Sequence, residues 1–261
     1  MKVFPSRYKN IAYFLYRIIN PIFDPIKVFM GLYGHLWFFR DIVLYKIMDK
    51  KARLFSINIF PILNEKTPLT NFDAHYFHQQ IWAFENIMNN RPQKHVDIGS
   101  TYQMSGYLSK IVSTEFVDIR PIDTKLKNLS ILKGDIMNLP YNDSSLESVS
   151  CLHVVEHIGL GRYGDHIDPD GPRKACAELA RVIKKGGALY FSVPVGKPRI
   201  CFNAHRIFSA DQVLKMLSAF KLINLYVVDD EGEFKKVSNK TTKYLESLNF
   251  GLGLFEFHKK K

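Results

Sequence analysis

Several devices that would name a function outright are missing from these 261 residues. The three cysteines, Cys151, Cys176 and Cys201, show no CxxC or metal-finger spacing, so neither a disulfide framework nor a zinc module is indicated. They read as small buried hydrophobes in a reducing compartment. The turn after the first expected strand carries no GxGxxG, and no tyrosine is followed four residues later by lysine. Both absences disfavour a nicotinamide-dependent oxidoreductase or epimerase. Long apolar runs are missing too. The longest uncharged stretch, Val28–Phe39, is about twelve residues and contains His35, whereas a bilayer-spanning helix needs roughly twenty. The run Ile11–Ile19 is broken by Arg17 and lacks a small-residue cleavage site, so no secretory signal is expected.

What is present is a globular composition, 46% apolar and 23% charged, enough for one large domain plus an appendage. The net charge of +11 is uneven. Residues 1–60 hold ten Lys and Arg against Asp24, Asp41 and Asp49, a net +7, and the other 201 residues add only +4. Because the excess sits on one aromatic, apolar end, a peripheral membrane contact or an acidic partner fits better than nucleic acid. Two helices are expected there, Tyr8–Ile19 and Ile26–Met48, separated by Pro21 and Pro25. An interfacial helix pair and a helical cap on the main domain both fit. The Pro-containing segment 61–70 reads as a linker, giving a basic extension over 1–66 and a main domain over 67–261.

From there helix and strand alternate, the pattern of a doubly wound α/β sheet. A helix is expected over Phe72–Asn89 with Asn71 as N-cap. Strands are expected at His95–Ile98, Glu115–Ile119, Ile131–Lys133, Leu146–Leu152, Ala188–Val193, Leu222–Val228 and Leu254–His258. A helix over Pro172–Lys185 ends before Gly186-Gly187, and Ser209 with Gln212 reads as a capping box.

The first three strands each end in an acidic residue: Asp97 in KHVDIGS, Asp118 in FVDIR and Asp135 after LKG. Ligands in open parallel sheets bind outside the carboxyl ends of the strands. Carboxylates accept hydrogen bonds from hydroxyls and exocyclic amines, so this edge suits a nucleoside. Gly99 permits close approach of the backbone, with Ser100 beside it. The fourth strand leads into His153 and then Glu156-His157; His157 is the candidate general base, because imidazole titrates near neutrality. The alternative is a histidine that only shapes the pocket with Glu156. GRYGDHIDPDGP resembles a calcium loop superficially, but the DxDxDG register is not met, so no metal is assigned. Arg162 and Tyr163 in that loop, with Lys197, Asn203, His205 and Arg206 after the fifth strand, are candidate acceptor-binding groups. Asp73, His75, Tyr76 and His78 on the preceding helix fit either a lid or ordinary amphipathic packing.

The pieces FDAHYFHQQIWAF, HVDIGS, VDIRP, LHVVEHIGLGRYGDHIDPDG, ELARVIKKGGALYFSVPVG and FNAHRIF, within residues 70–230, resemble a methyltransferase-like family of unknown function often met among bacterial surface-polysaccharide proteins. More broadly, VDIGS, GDIMNLP and VVEHI resemble class I S-adenosylmethionine-dependent methyltransferases. That resemblance implies a Rossmann-like fold with seven strands, the last inserted antiparallel, and methyl transfer to a small-molecule or glycan acceptor. It implies Gly99, Asp118 and Asp135 at the cofactor; Asp97, Ser100 and His153 complete the expected cofactor set. In the first loop Thr101 and Gln103 replace the family's second and third glycines. The expected setting is cytoplasmic, peripheral to the inner face of the membrane, with no oligomeric state indicated. The competing expectation is a non-catalytic scaffold of the same fold.

Overall fold

The computed structural model describes residues 6–49, 59–237 and 242–261. Residues 1–5 and 50–58 of the expected extension lie outside the described residues. The chain divides into two compact units, Met1–Asn71 and Phe72–Lys261.

The first unit holds α1 (Ser6–Ile19) and α2 (Pro25–Met48). Pro25 suits the first turn of α2, where its missing N–H costs nothing, and Asp24 caps it by accepting from the N–H groups of Ile26 and Lys27 at 3.0 and 3.1 Å. No helix among the described residues is long and apolar enough to cross a membrane.

In the second unit α3 (Ala74–Asn90) precedes β1 (Lys94–Ile98), α4 (Tyr102–Leu108), β2 (Ser113–Asp118), β3 (Leu129–Lys133) and β4 (Leu146–Leu152). There follow α5 (Gly171–Val182), β5 (Ile183–Val195), a two-stranded ribbon of β6 (Arg199–Cys201) and β7 (His205–Ile207), and α6 (Ala210–Met216). Then come β8 (Phe220–Val228), β9 (Phe234–Lys236), α7 (Thr242–Ser247) and β10 (Gly251–Lys259). The main sheet has the order β3-β2-β1-β4-β5-β10-β8-β9, so it has eight strands where seven were expected; β9 is the addition. β1 pairs in parallel with β2 and β4, while β10 inserts antiparallel between β5 and β8.

Central strands in such a sheet are covered on both faces and lose the polar alternation of a half-buried strand. Thus six of the seven residues of β4 are buried. One face packs Ala175, Leu179 and Val182 of α5 and Val213 of α6 against Val149, Leu189 and Phe255. The other packs Trp82, Ala83 and Ile87 of α3 and Met104 and Leu108 of α4 against Leu152, Tyr190 and Leu254. Cys151 and Cys176 are buried in the first layer and Cys201 is half-buried; all three are free.

Local chemistry accounts for the other departures. The N-cap of α3 is Asp73, which accepts from the Tyr76 N–H at 3.2 Å, rather than Asn71. α5 stops at Val182 because the chain runs directly into β5, so Lys184 and Lys185 stand on a strand. Gly186, at φ +75°, supplies the left-handed residue within it. The capping box at α6 is present: Ser209 accepts from the Gln212 N–H at 3.1 Å and Gln212 from the Ser209 N–H at 2.9 Å.

The chain lays β2 and β3 to one side of β1 and then returns to place β4 on the other. A crevice opens outside the carboxyl ends of strands where the order reverses, here between β1 and β4.

Candidate functional site

At that switch point lies a cavity of about 370 Å³, lined among others by Gly99, Asp118, Asp135, His153, His157 and Tyr163. This is within the usual range for small-molecule sites, roughly 300–1,000 Å³.

On the β1–β3 side the turn is built by backbone. Gly99 has φ +65°, and its N–H donates to the Val117 carbonyl at 2.8 Å, tying the end of β1 to β2. A Cβ at Gly99 would meet Val154 at 3.2 Å and the Asp118 Oδ2 at 3.9 Å. That carboxylate oxygen therefore faces the turn, while Oδ1 accepts from the Arg120 N–H at 2.6 Å. Asp135 repeats the arrangement: Oδ1 accepts from the Met137 N–H at 2.8 Å, and the residue is exposed at the cavity. The hydroxyl of Thr101, also a lining residue, is buried without a hydrogen-bond partner. Tyr102 lines the space but is 53% exposed and leaves it open.

Asp97 corrects an expectation. It is fully buried and absent from the cavity wall. Its carboxylate accepts from the hydroxyls of Ser105 and, at 2.7 Å, Ser150; burial raises its pKa to about 6. Ser100 does line the cavity, yet its hydroxyl accepts from the Leu152 N–H at 3.1 Å. Asp97 and Ser100 thus brace the turn from beneath.

The β4 side is a buried ionisable group. β4 is followed directly by His153, held in the left-handed region at φ +58°, a conformation costly for a non-glycine residue. His153 Nδ1 lies 2.5 Å from Glu156 Oε1, and its ring stacks between His75 and Tyr76, with centroids 5.8 and 5.1 Å away. Glu156 is 1% exposed; its Oε2 and the Nε2 of His153 are buried without partners. His157 Nδ1 donates to the Ala204 carbonyl at 2.6 Å, so the other nitrogen, Nε2, carries the lone pair in the neutral ring; Glu156 Oε1 is 3.7 Å from it. Burial holds the His157 pKa below its ordinary value, so the ring is neutral near pH 7.

The acceptor candidates separate. Tyr163 lines the cavity between two guanidinium groups, with Arg120 4.4 Å and Arg162 5.1 Å from its ring. Arg162 also donates to the Ala204 carbonyl at 3.0 Å. Arg206 is a second correction: it is buried and donates to the Ile158 carbonyl at 2.6 Å, so it holds the turn that carries Glu156 and His157. His205 packs on Phe250 at 4.9 Å, and Lys197 and Asn203 are exposed; none of the three lines the cavity. Tyr76 and Arg120 were not singled out as ligand groups from sequence. Tyr76 reads, with Asp73, His75 and His78, as part of a lid or of ordinary amphipathic packing, and Arg120 only as the residue two past Asp118.

Gly159, Gly161 and Gly164 spell the letters of GxGxxG, but they form no phosphate cradle. Asp165 already occupies the N–H groups of Gly159 and Gly161 at 2.7 and 3.4 Å, an internal anion where a phosphate would sit. Gly159 is obligatory, since a Cβ there would lie 1.9 Å from the Asp168 carbonyl oxygen. Among the described residues no group of three or more His, Cys, Asp or Glu is arranged to hold a metal ion.

Solved structures with the same architecture include a putative sarcosine dimethylglycine methyltransferase from Galdieria sulphuraria, 14% identical, with TM-score 0.53 over 70% of this chain and 86% of that one. A 1,6-didemethyltoxoflavin-N1-methyltransferase from Burkholderia thailandensis, solved with 1,6-didemethyltoxoflavin and S-adenosylhomocysteine, is 12% identical, with TM-score 0.51 over 70% and 79%. The YcgJ protein from Bacillus subtilis is 14% identical, with TM-score 0.50 over 71% and 99%. At these identities the likeness is one of fold: the second unit has the Rossmann-like methyltransferase fold. Comparison with curated proteins finds no match. The model of one family, described as "Caenorhabditis protein of unknown function, DUF268", matches residues 107–250, more than half of the chain, and the protein belongs to that family.

Proposed function

We propose that the protein is an S-adenosylmethionine-dependent methyltransferase acting on a hydroxyl of a saccharide or sugar-linked small molecule. The observation that carries this reading is the meeting of the Gly99 turn, the inward Asp118 oxygen and His157 around one cavity.

The residues present fit such a cofactor. Asp118 Oδ2 is positioned to accept from ribose hydroxyls and Asp135 from an exocyclic amine. The orphaned Thr101 hydroxyl gains a partner when a polar ligand enters, which compensates for one missing glycine of the first loop. S-adenosylmethionine supplies a methyl group activated by its sulfonium. His157 Nε2 takes the acceptor's proton; its Nδ1–H stays on the Ala204 carbonyl, and Glu156 at 3.7 Å stabilises the imidazolium that results. Glu156 acts through the imidazole and is a positioning residue, and His153, hydrogen-bonded to it, holds it in place. Tyr76 and Tyr163 give the cavity an aromatic lining, Tyr76 stacked on His153 and Tyr163 flanked by Arg120 and Arg162. A polar acceptor with an apolar ring face suits it, which favours a saccharide in a polysaccharide-building context. Two buried free cysteines suit a reducing, cytoplasmic setting.

Calorimetric titration with S-adenosylhomocysteine tests the reading. The wild-type chain is expected to bind, and Gly99→Val to lose binding, because the variant places a branched side chain at φ +65° against Val154 and Asp118. No heat and no thermal shift with wild-type protein at millimolar ligand would assign the fold to a non-catalytic scaffold instead.

A further inference from the structure

We infer that the first unit is an interfacial anchor that lies on an anionic lipid surface. A helix of a water-soluble protein turns its apolar stripe toward a core. α2 does not. Thirteen large hydrophobic side chains between Ile26 and Met48 are exposed, and Phe29, Leu32, Tyr33, Leu36, Val43 and Ile47 follow one another at helical spacing. Phe29 is 74% and Leu36 71% exposed.

The opposite side of α2 already has its partner within the same unit. A Cβ at Gly34 would lie 2.9 Å from the Leu63 Cβ; Lys66 sits 4.4 Å from the Trp37 ring and pairs with Asp41 at 2.8 Å. The Leu63 and Lys66 contacts cover only part of that side: Met30, Tyr45 and Met48, which flank Gly34 and Asp41 on the helix, are exposed too, so apolar side chains reach the surface around most of α2. α1 and the turn after it add Phe14, Ile18, Ile22 and Phe23, of which Ile22 is 90% exposed. An exposed apolar patch this large marks an interaction site.

Charge selects the occupant. Ten basic residues against three acidic ones in residues 1–60 favour an anionic headgroup layer and oppose pairing with a second copy bearing the same net +7. Length and charge set the depth. Lys27, Arg40, Asp41 and Lys46 interrupt α2, so the helix lies in the interface, its charged heads at headgroup level, and does not cross.

Flotation of the full chain with vesicles tests this independently of the cavity. The chain is expected to rise with phosphatidylcholine vesicles containing phosphatidylserine and to bind pure phosphatidylcholine at least about tenfold less well. The double variant Phe29→Glu/Leu36→Glu is expected to lose binding at least about tenfold while S-adenosylhomocysteine affinity and the melting of the second unit stay as in wild type. Lys27→Gln with Arg17→Gln is expected to weaken binding only to the anionic vesicles. Failure of the folded wild-type chain to float overturns the inference, as does a double variant that floats unchanged. A wild-type dimer that ignores vesicles and is dispersed by the double variant would assign the face to a second copy.

Discussion

The two rims of the cavity are built on opposite principles. On the β1–β3 side Asp118 and Asp135 each tie one carboxylate oxygen to a backbone N–H two residues on, at 2.6 and 2.8 Å. Both residues line the cavity, and the second oxygen of Asp118 faces the Gly99 turn. On the β4 side His153, Glu156 and His157 are withdrawn from solvent and bonded to one another or to the Ala204 carbonyl. Exposed acceptors bind without large changes in ionisation, whereas buried ionisable groups have their proton affinities set by burial and neighbours. Substitutions on the first rim should therefore change affinity, and those on the second should change turnover and its pH dependence.

The largest expected effect lies on the β4 rim. His157→Ala should lower turnover roughly a hundred- to ten-thousand-fold, the usual span for loss of a general base, while S-adenosylhomocysteine affinity holds. Burial depresses the His157 pKa below its ordinary value of 6.5, so the free base persists to lower pH and the acid limb of the wild-type rate falls below that value. The Glu156 charge opposes this depression. Glu156→Gln should then move the acid limb further down, a readout that a merely structural glutamate would not shift. Equal turnover in His157→Ala and wild type would remove the base from this rim.

A smaller effect is expected on the other rim. Asp118→Ala should weaken S-adenosylhomocysteine about ten- to a hundredfold, as for loss of a hydrogen bond to a charged group, with little change in the pH profile of turnover. If affinity is unchanged while the pH profile moves, the division between the rims is wrong.

The sequence made this division only partly legible. Apolar runs, turn residues and the Ser209–Gln212 pair located seven strands and a capping box, because those signals are local. The spacing of Asp97, Asp118 and Asp135 pointed to one sheet edge, and all three are there. What it could not tell was which way a strand-end side chain turns. Asp97 turns inward because Ser105, eight residues on, and Ser150, on a neighbouring strand, supply its hydroxyl donors. Arg206 read as an acceptor-binding group and is instead spent on the Ile158 carbonyl, a partner 48 residues away. β9 escaped notice because its three residues, Phe234–Lys236, are all exposed and carry no buried stripe.

The last and smallest effect separates Asp97 from the two carboxylates that line the cavity. Asp97→Asn should change S-adenosylhomocysteine affinity by no more than about threefold, since the side chain is off the cavity wall. Its signature is in stability against pH. Ser148, His95, Ser150 and Asp97 form one buried chain of bonds at 2.8, 2.9 and 2.7 Å. Burial lowers the His95 pKa to about 3, so His95 contributes stability that is present above about pH 6.5 and lost as pH falls toward 3. Burial raises the Asp97 pKa to about 6, so Asp97 contributes stability present below about pH 4 and lost as pH rises through 6. Between about pH 4 and 6 the two dependences oppose each other, and their sum is nearly flat. Asp97→Asn removes one of them. Urea melts of the variant relative to wild type should then acquire a loss approaching 1.4 kcal/mol for each unit of acidification across that window. A variant whose stability keeps the wild-type pH dependence there would mean that Asp97 is ionised throughout that window and that its burial does not govern its proton.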